Sequence, residues 1–121
     1  MPENRPNILK DKSFAFAIRI VKLYKYLKEE QREPVLSKQV YRSGTAIGAL
    51  IREAQYAQSK KDFINKLSIA IKEANETMYW LELLFATDFI EQQAFVSMKS
   101  NCEELIKMLT SSINTSKGNN N

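Results

Sequence analysis

A chain of 121 residues with 44% hydrophobic residues, three Gly and three Pro is sized for one domain with one core. Its apolar runs are too short and interrupted to cross a bilayer, MPENRPNILKDKS lacks a secretory h-region, and the lone Cys102 cannot pair within the chain, so a cytoplasmic protein is expected. The net charge of +4 is uneven: 13 Lys/Arg against 6 Asp/Glu up to Lys61, then 5 against 8, which marks either a nucleic-acid face, a surface by which one helical pair recognises another, or a solvated face.

Residues 1–11, with Pro2, Pro6 and scattered charges, read as a flexible N-terminal arm. Ser13 is the candidate N-cap of a first helix opening at Phe14. Two apolar series then interleave: Phe14, Ala17, Ile18, Val21 and Tyr24 with Phe16, Ile20, Leu23 and Leu27. Together they make an apolar arc broader than a helix of a monomeric bundle has to bury, which hints at contact with another subunit. The same helix carries Arg19, Lys22, Lys25 and Lys28, with Tyr24 and Tyr26 between them. Cations interleaved with rings suit phosphate contact and stacking, so these four are the candidate nucleic-acid-binding residues. No recognition-helix, zinc-finger or RNP signature accompanies them, so binding there is directed by charge and shape.

Pro34 stops the first helix or starts the second. The second has core positions Leu36, Val40, Ser43, Ile47, Leu50, Ile51 and Ala54 at helical spacing. A glycine inside a helix costs about 1 kcal/mol relative to Ala. Gly44 and Gly48 are therefore expected to face a neighbouring backbone that would clash with Cβ atoms. Opposite Ile47 the helix collects Arg42, Thr45, Ala49, Arg52 and Tyr56. Arg, small and aromatic residues together resemble an interface core, which makes these five the candidate oligomer interface; an exposed polar face is the alternative.

Ser59 and Asp62 form the S-x-x-D start of a third helix. Its seam runs Phe63, Leu67, Ala70, Ala74, Thr77, Leu81 and Leu84, with Ile64, Ile71, Met78 and Phe85 beside it. Small Ala70 and Ala74 suggest close approach at mid-bundle, opposite the two glycines. Asp88 closes this helix, and a fourth follows with Phe95, Met98, Cys102, Leu105, Leu109 and Ile113 in steps of three and four. The tail 114–121 has no apolar periodicity and reads as disordered. Four helices with short links predict an all-α, up-and-down antiparallel four-helix bundle over residues 12–113.

Chemistry finds few footholds. Histidine is absent, which removes the commonest general base and first-row metal ligand, and a single cysteine cannot build a thiolate site. Cys102 sits in an apolar stripe and reads as a small buried thiol. Glu73 and Glu76 share one side of the third helix; ion pairing with Lys72 or an Arg of the second helix explains them better than acid–base work. No catalytic residue, cofactor or metal is expected.

The central run RSGTAIGALIREAQYAQSKKDFINKLSIAIKEANETMYWLELL resembles the four-helix-bundle family of the 23S rRNA intervening-sequence protein. The resemblance rests on Arg42-Ser43, Ile47 and Ile51, Glu53-Ala54, Ser59 with Asp62-Phe63, Ile69-Ala70, Glu73 and Glu76, and Tyr79-Trp80-Leu81. Leu50 departs from it, standing where family members often carry Asn. The resemblance implies a four-helix bundle and, from studied relatives, a ring-shaped homopentamer. The accessory protein of diversity-generating retroelements is similar, and implies a basic pentamer that binds nucleic acid and a reverse transcriptase. The expectation is a non-enzymatic homo-oligomeric scaffold, pentameric, with weak charge-directed binding of RNA or DNA. The alternative is a protein–protein adaptor with no nucleic-acid role.

Overall fold

The computed structural model describes residues 4–118, with side chains from Ile8 onward. Four α-helices fill this span: α1 (Asn4–Glu29), α2 (Pro34–Gln55), α3 (Lys60–Ala86) and α4 (Gln92–Gly118). Each packs against its neighbours in the chain, and α1 closes the ring against α4, giving the up-and-down antiparallel bundle. There is no strand among the described residues.

The core follows the apolar spacing. Phe16, Ile20, Leu23 and Leu27 of α1 meet Val40, Ile47 and Ile51 of α2, and Leu67, Ala70, Ala74, Leu81 and Leu84 of α3 meet Met98, Cys102, Leu105 and Leu109 of α4. Phe95 is half-buried and stacks on Phe85, with ring centroids 4.7 Å apart.

The caps are built locally. Pro34 starts α2, where its missing N–H costs nothing. Glu33 precedes it as N-cap and accepts from the amides of Leu36 and Ser37. Ser59 caps α3 by accepting from the Asp62 amide at 3.0 Å, as the S-x-x-D pattern predicts.

Three expectations are corrected. The flexible arm over 1–11 is helix from Asn4 onward; residues 1–3 lie outside the described span. The reason is Leu9, buried seven residues before Phe16, which extends the core stripe by two turns. Pro6 fits the first turn, where it breaks no helical bond. Ser13 is accordingly not a cap. It is buried inside α1 and donates to the Lys10 carbonyl at 3.0 Å. The disordered tail over 114–121 is helix to Gly118, with 119–121 outside the described span. Ser112 and Ile113 anchor that last stretch, and propagating an existing helix is far easier than starting one.

The glycines also face differently from expectation. A Cβ on Gly44 would lie 2.6–3.0 Å from the Ile20 side chain, and one on Gly48 would meet Ser13 at 3.5 Å. Both positions therefore serve the α1–α2 contact, not an approach to Ala70 and Ala74 of α3. At Gly44 the crowding group is a side chain; only Gly48 faces backbone.

Candidate interaction surface

The helix pairing divides the predicted site residues into three groups. Arg42 leaves the outer face of α2 and reaches α3, where its guanidinium donates to Glu73 (3.2 Å) and Glu76 (2.7 Å). Glu76 also accepts from the Trp80 indole at 3.2 Å. The hydrogen bond from Arg42, then that from Trp80, holds the Glu76 carboxyl below its ordinary value, and the same two carboxylates push the Arg42 pKa upward. Beneath this cluster Thr77 Oγ1 lies 2.9 Å from Ser43 Oγ and 2.8 Å from the Glu73 carbonyl oxygen. A carbonyl only accepts, so Thr77 donates to it and accepts a hydrogen bond from the Ser43 hydroxyl. These carboxylates are occupied by a cation and an indole, the pairing favoured over acid–base work.

Arg19 forms a second group, on the α1–α4 seam. It donates to Ser97 Oγ at 2.9 Å and Asn101 Oδ1 at 2.7 Å, beside a cleft of about 470 Å³ lined also by Leu23, Tyr26 and Ile90. Lys12 bridges the same seam to Glu104 at 3.0 Å. Arg19 is thus tied to α4, and the 60° drift of each three-residue step spreads the four cations around α1 instead of aligning them on one line.

The third group lies on the outer face that α1 and α2 share. Thr45, Ala49 and Arg52 line a groove of about 220 Å³ with Lys10, Ser13, Phe14, Ala17 and Gly48. The Arg52 guanidinium stands over the Phe14 ring, 5.6 Å from its centroid. Phe14 is 55% exposed and Ile18 43%, while Tyr56 just past the end of α2 is 83% exposed. Lys22 and Lys25 are exposed beside Ile18 and make no ion pair among the described residues. Lys28 sits over the Tyr24 ring at 5.4 Å. The broad apolar arc of α1 is therefore two faces: one series enters the core, and the other includes Phe14 and Ile18, which the bundle leaves uncovered.

Sequence reasoning missed Tyr41, which is 41% exposed and packs its ring 4.5 Å from that of Tyr24. Its signal was present: Tyr41, Thr45, Ala49, Arg52 and Tyr56 run in steps of four, four, three and four. Cys102 is fully buried, and burial pushes its thiol up to about 12, far from a reactive thiolate. No group of three His, Cys, Asp or Glu side chains is placed to hold a metal among the described residues. No described helix is long and apolar enough to cross a membrane.

Comparison with known proteins agrees with this architecture. The crystal structure of a protein of unknown function from the S23 ribosomal protein family of Bacteroides thetaiotaomicron superposes with a TM-score of 0.90 at 57% identity, covering 91% of this chain and 98% of that one. No curated protein matches the sequence. The profile of the 23S rRNA-intervening sequence proteins matches residues 5–111, nearly the whole bundle, and the chain belongs to that family.

Proposed function

We propose that this protein is a non-enzymatic homo-oligomeric scaffold whose outer α1–α2 face both joins copies and contacts nucleic acid through charge. One observation carries the reading. On that face large apolar side chains (Phe14, Ile18) and unpaired cations (Lys22, Lys25) are exposed side by side. Between Ile8 and Lys28 the sequence of α1 holds six basic residues and one acidic residue, Asp11. Taking a Phe or Ile side chain from full exposure to full burial contributes about 1.5–3 kcal/mol. Phe14 and Ile18, 55% and 43% exposed, have about half of that left to gain. Unpaired lysines suit a polyanion, because each phosphate they neutralise releases condensed counterions. Pentameric assembly is the stoichiometry that the resemblance to studied relatives implies. The occupied Glu73–Arg42–Glu76 cluster and the buried thiol support a role without catalysis.

The test is binding of a structured RNA at rising salt. The expected result is affinity that falls steeply with salt and drops at least tenfold when Lys22→Glu and Lys25→Glu are combined. Arg19→Glu, held on the α4 seam, should weaken binding less. Undetectable binding of the unaltered protein at low salt would remove the nucleic-acid half of the proposal.

A further inference from the structure

The end of the α1–α2 face nearest the turn differs from the apolar end. Here the Tyr24 and Tyr41 rings pack with centroids 4.5 Å apart and planes tilted by 31°. Tyr24 is half-buried between the helices; Tyr41 is the more exposed of the two. Lys28 stands over Tyr24 from the next turn of α1, and Lys25 and Lys38 are exposed on the adjoining surface. Neither Lys25 nor Lys38 makes an ion pair among the described residues. Of the three carboxylates at this turn, Glu33 caps α2, while Glu29 and Glu30 are exposed and form no ion pair with these lysines.

From this juxtaposition of a ring pair and uncompensated cations we propose that the patch binds unpaired nucleotides, a base stacking on Tyr41 while Lys25, Lys28 and Lys38 hold the flanking phosphates. The inference rests on the nucleic-acid reading above and narrows its ligand to single-stranded segments. The charge complementarity is direct, and the rings add what lysines alone cannot. An aromatic face offers every base a surface, whereas the bases of a duplex are already stacked on each other and closed to it. Tyr41 is fixed by Tyr24 behind it, so little side-chain freedom is lost when a base arrives. Sequence preference is not expected, since stacking is indifferent to the hydrogen-bonding edge.

The experiment compares a labelled 12-nucleotide single-stranded RNA with a duplex of the same length at one low salt concentration. Proteins compared are the unaltered chain, Tyr41→Leu, Tyr41→Phe and Lys25→Ala combined with Lys28→Ala. Tyr41→Leu keeps an apolar contact for Tyr24, and an unchanged melting temperature verifies the fold. It is expected to weaken the single strand about tenfold and leave the duplex unchanged, with the salt slope intact. Tyr41→Phe should retain single-strand affinity. The double lysine variant should weaken both RNAs and lower the salt slope by about two. Equal affinity of Tyr41→Leu and the unaltered protein for the single strand, or an equal loss on both RNAs, overturns stacking while leaving charge-directed binding standing. No salt-sensitive binding of either RNA by the unaltered protein overturns both readings.

Discussion

The two sides of α2 carry similar residue types and put them to opposite uses. Toward α3, every charged or hydroxyl group of the central cluster has a partner in the same chain: Arg42 with Glu73 and Glu76, Glu76 with Trp80, Ser43 with Thr77. Toward α1 and outward, Tyr41 and Ala49 of α2 and Tyr56 at its C-cap lie exposed, as do Phe14, Ile18, Lys22 and Lys25 of α1. The first side is complete as a monomer. The second has surplus apolar area and charge that only another molecule can use. Composition alone does not separate the sides; what separates them is whether partners lie within reach.

If the α3 side is architecture, breaking it should cost stability. Thr77→Val keeps the shape of the side chain but strands the buried Ser43 hydroxyl. It should destabilise by about 1–3 kcal/mol in chemical denaturation. Adding Ser43→Ala should recover much of the loss, because both polar partners are then gone. Independent, additive losses would show that the pair is not coupled.

The two glycines sharpen the comparison on the α1 side. Gly44→Ala drives a Cβ to within 2.6 Å of the side chain of Ile20, which is fully buried. A net destabilisation of about 1–2 kcal/mol is expected, overpacking outweighing the gain in helix propensity. Gly48→Ala meets Ser13 at ordinary contact distance and should stabilise by about 0.5–1 kcal/mol. Thermal melts of the two variants should therefore move in opposite directions.

The smallest effect belongs to the Arg42 cluster, in which the Arg42 and Glu76 side chains are 53% and 38% exposed. Arg42→Ala should cost no more than about 1 kcal/mol. The Glu76 pKa is depressed in the fold from an ordinary 4.5, so its contribution is present above that value and lost as pH falls through the folded pKa. Acid titration of stability should show this limb below pH 4.5 in the unaltered protein and a flatter one in Glu76→Gln. Identical acid limbs would dismiss the linkage.

Much of the bundle was legible because helical spacing encodes which face is buried. The α3 seam from Leu67 to Leu84, the Ser59 cap and the α4 stripe through Cys102 all follow from it. Spacing does not encode which neighbour a face meets. Gly44 was therefore expected to face a backbone, opposite the alanines of α3, yet its contact is the Ile20 side chain of α1. Nor does spacing show how far a long side chain bends: Arg42 and Arg52 share one predicted face, but one turns to α3 carboxylates and the other to Phe14. The start of α1 was hidden because Ile8 and Leu9 are a lone apolar pair followed by Lys10, Asp11 and Lys12, and Pro2 and Pro6 argued locally against helix.

The central claim is that a second copy covers the exposed Phe14–Ile18 face, and light scattering at micromolar concentration tests it most directly. The account predicts a stable assembly of about five times the 14.0 kDa chain, which Phe14→Asp with Ile18→Glu dissociates while helix content is retained. A 14.0 kDa monomer, or an assembly indifferent to both substitutions, would contradict it.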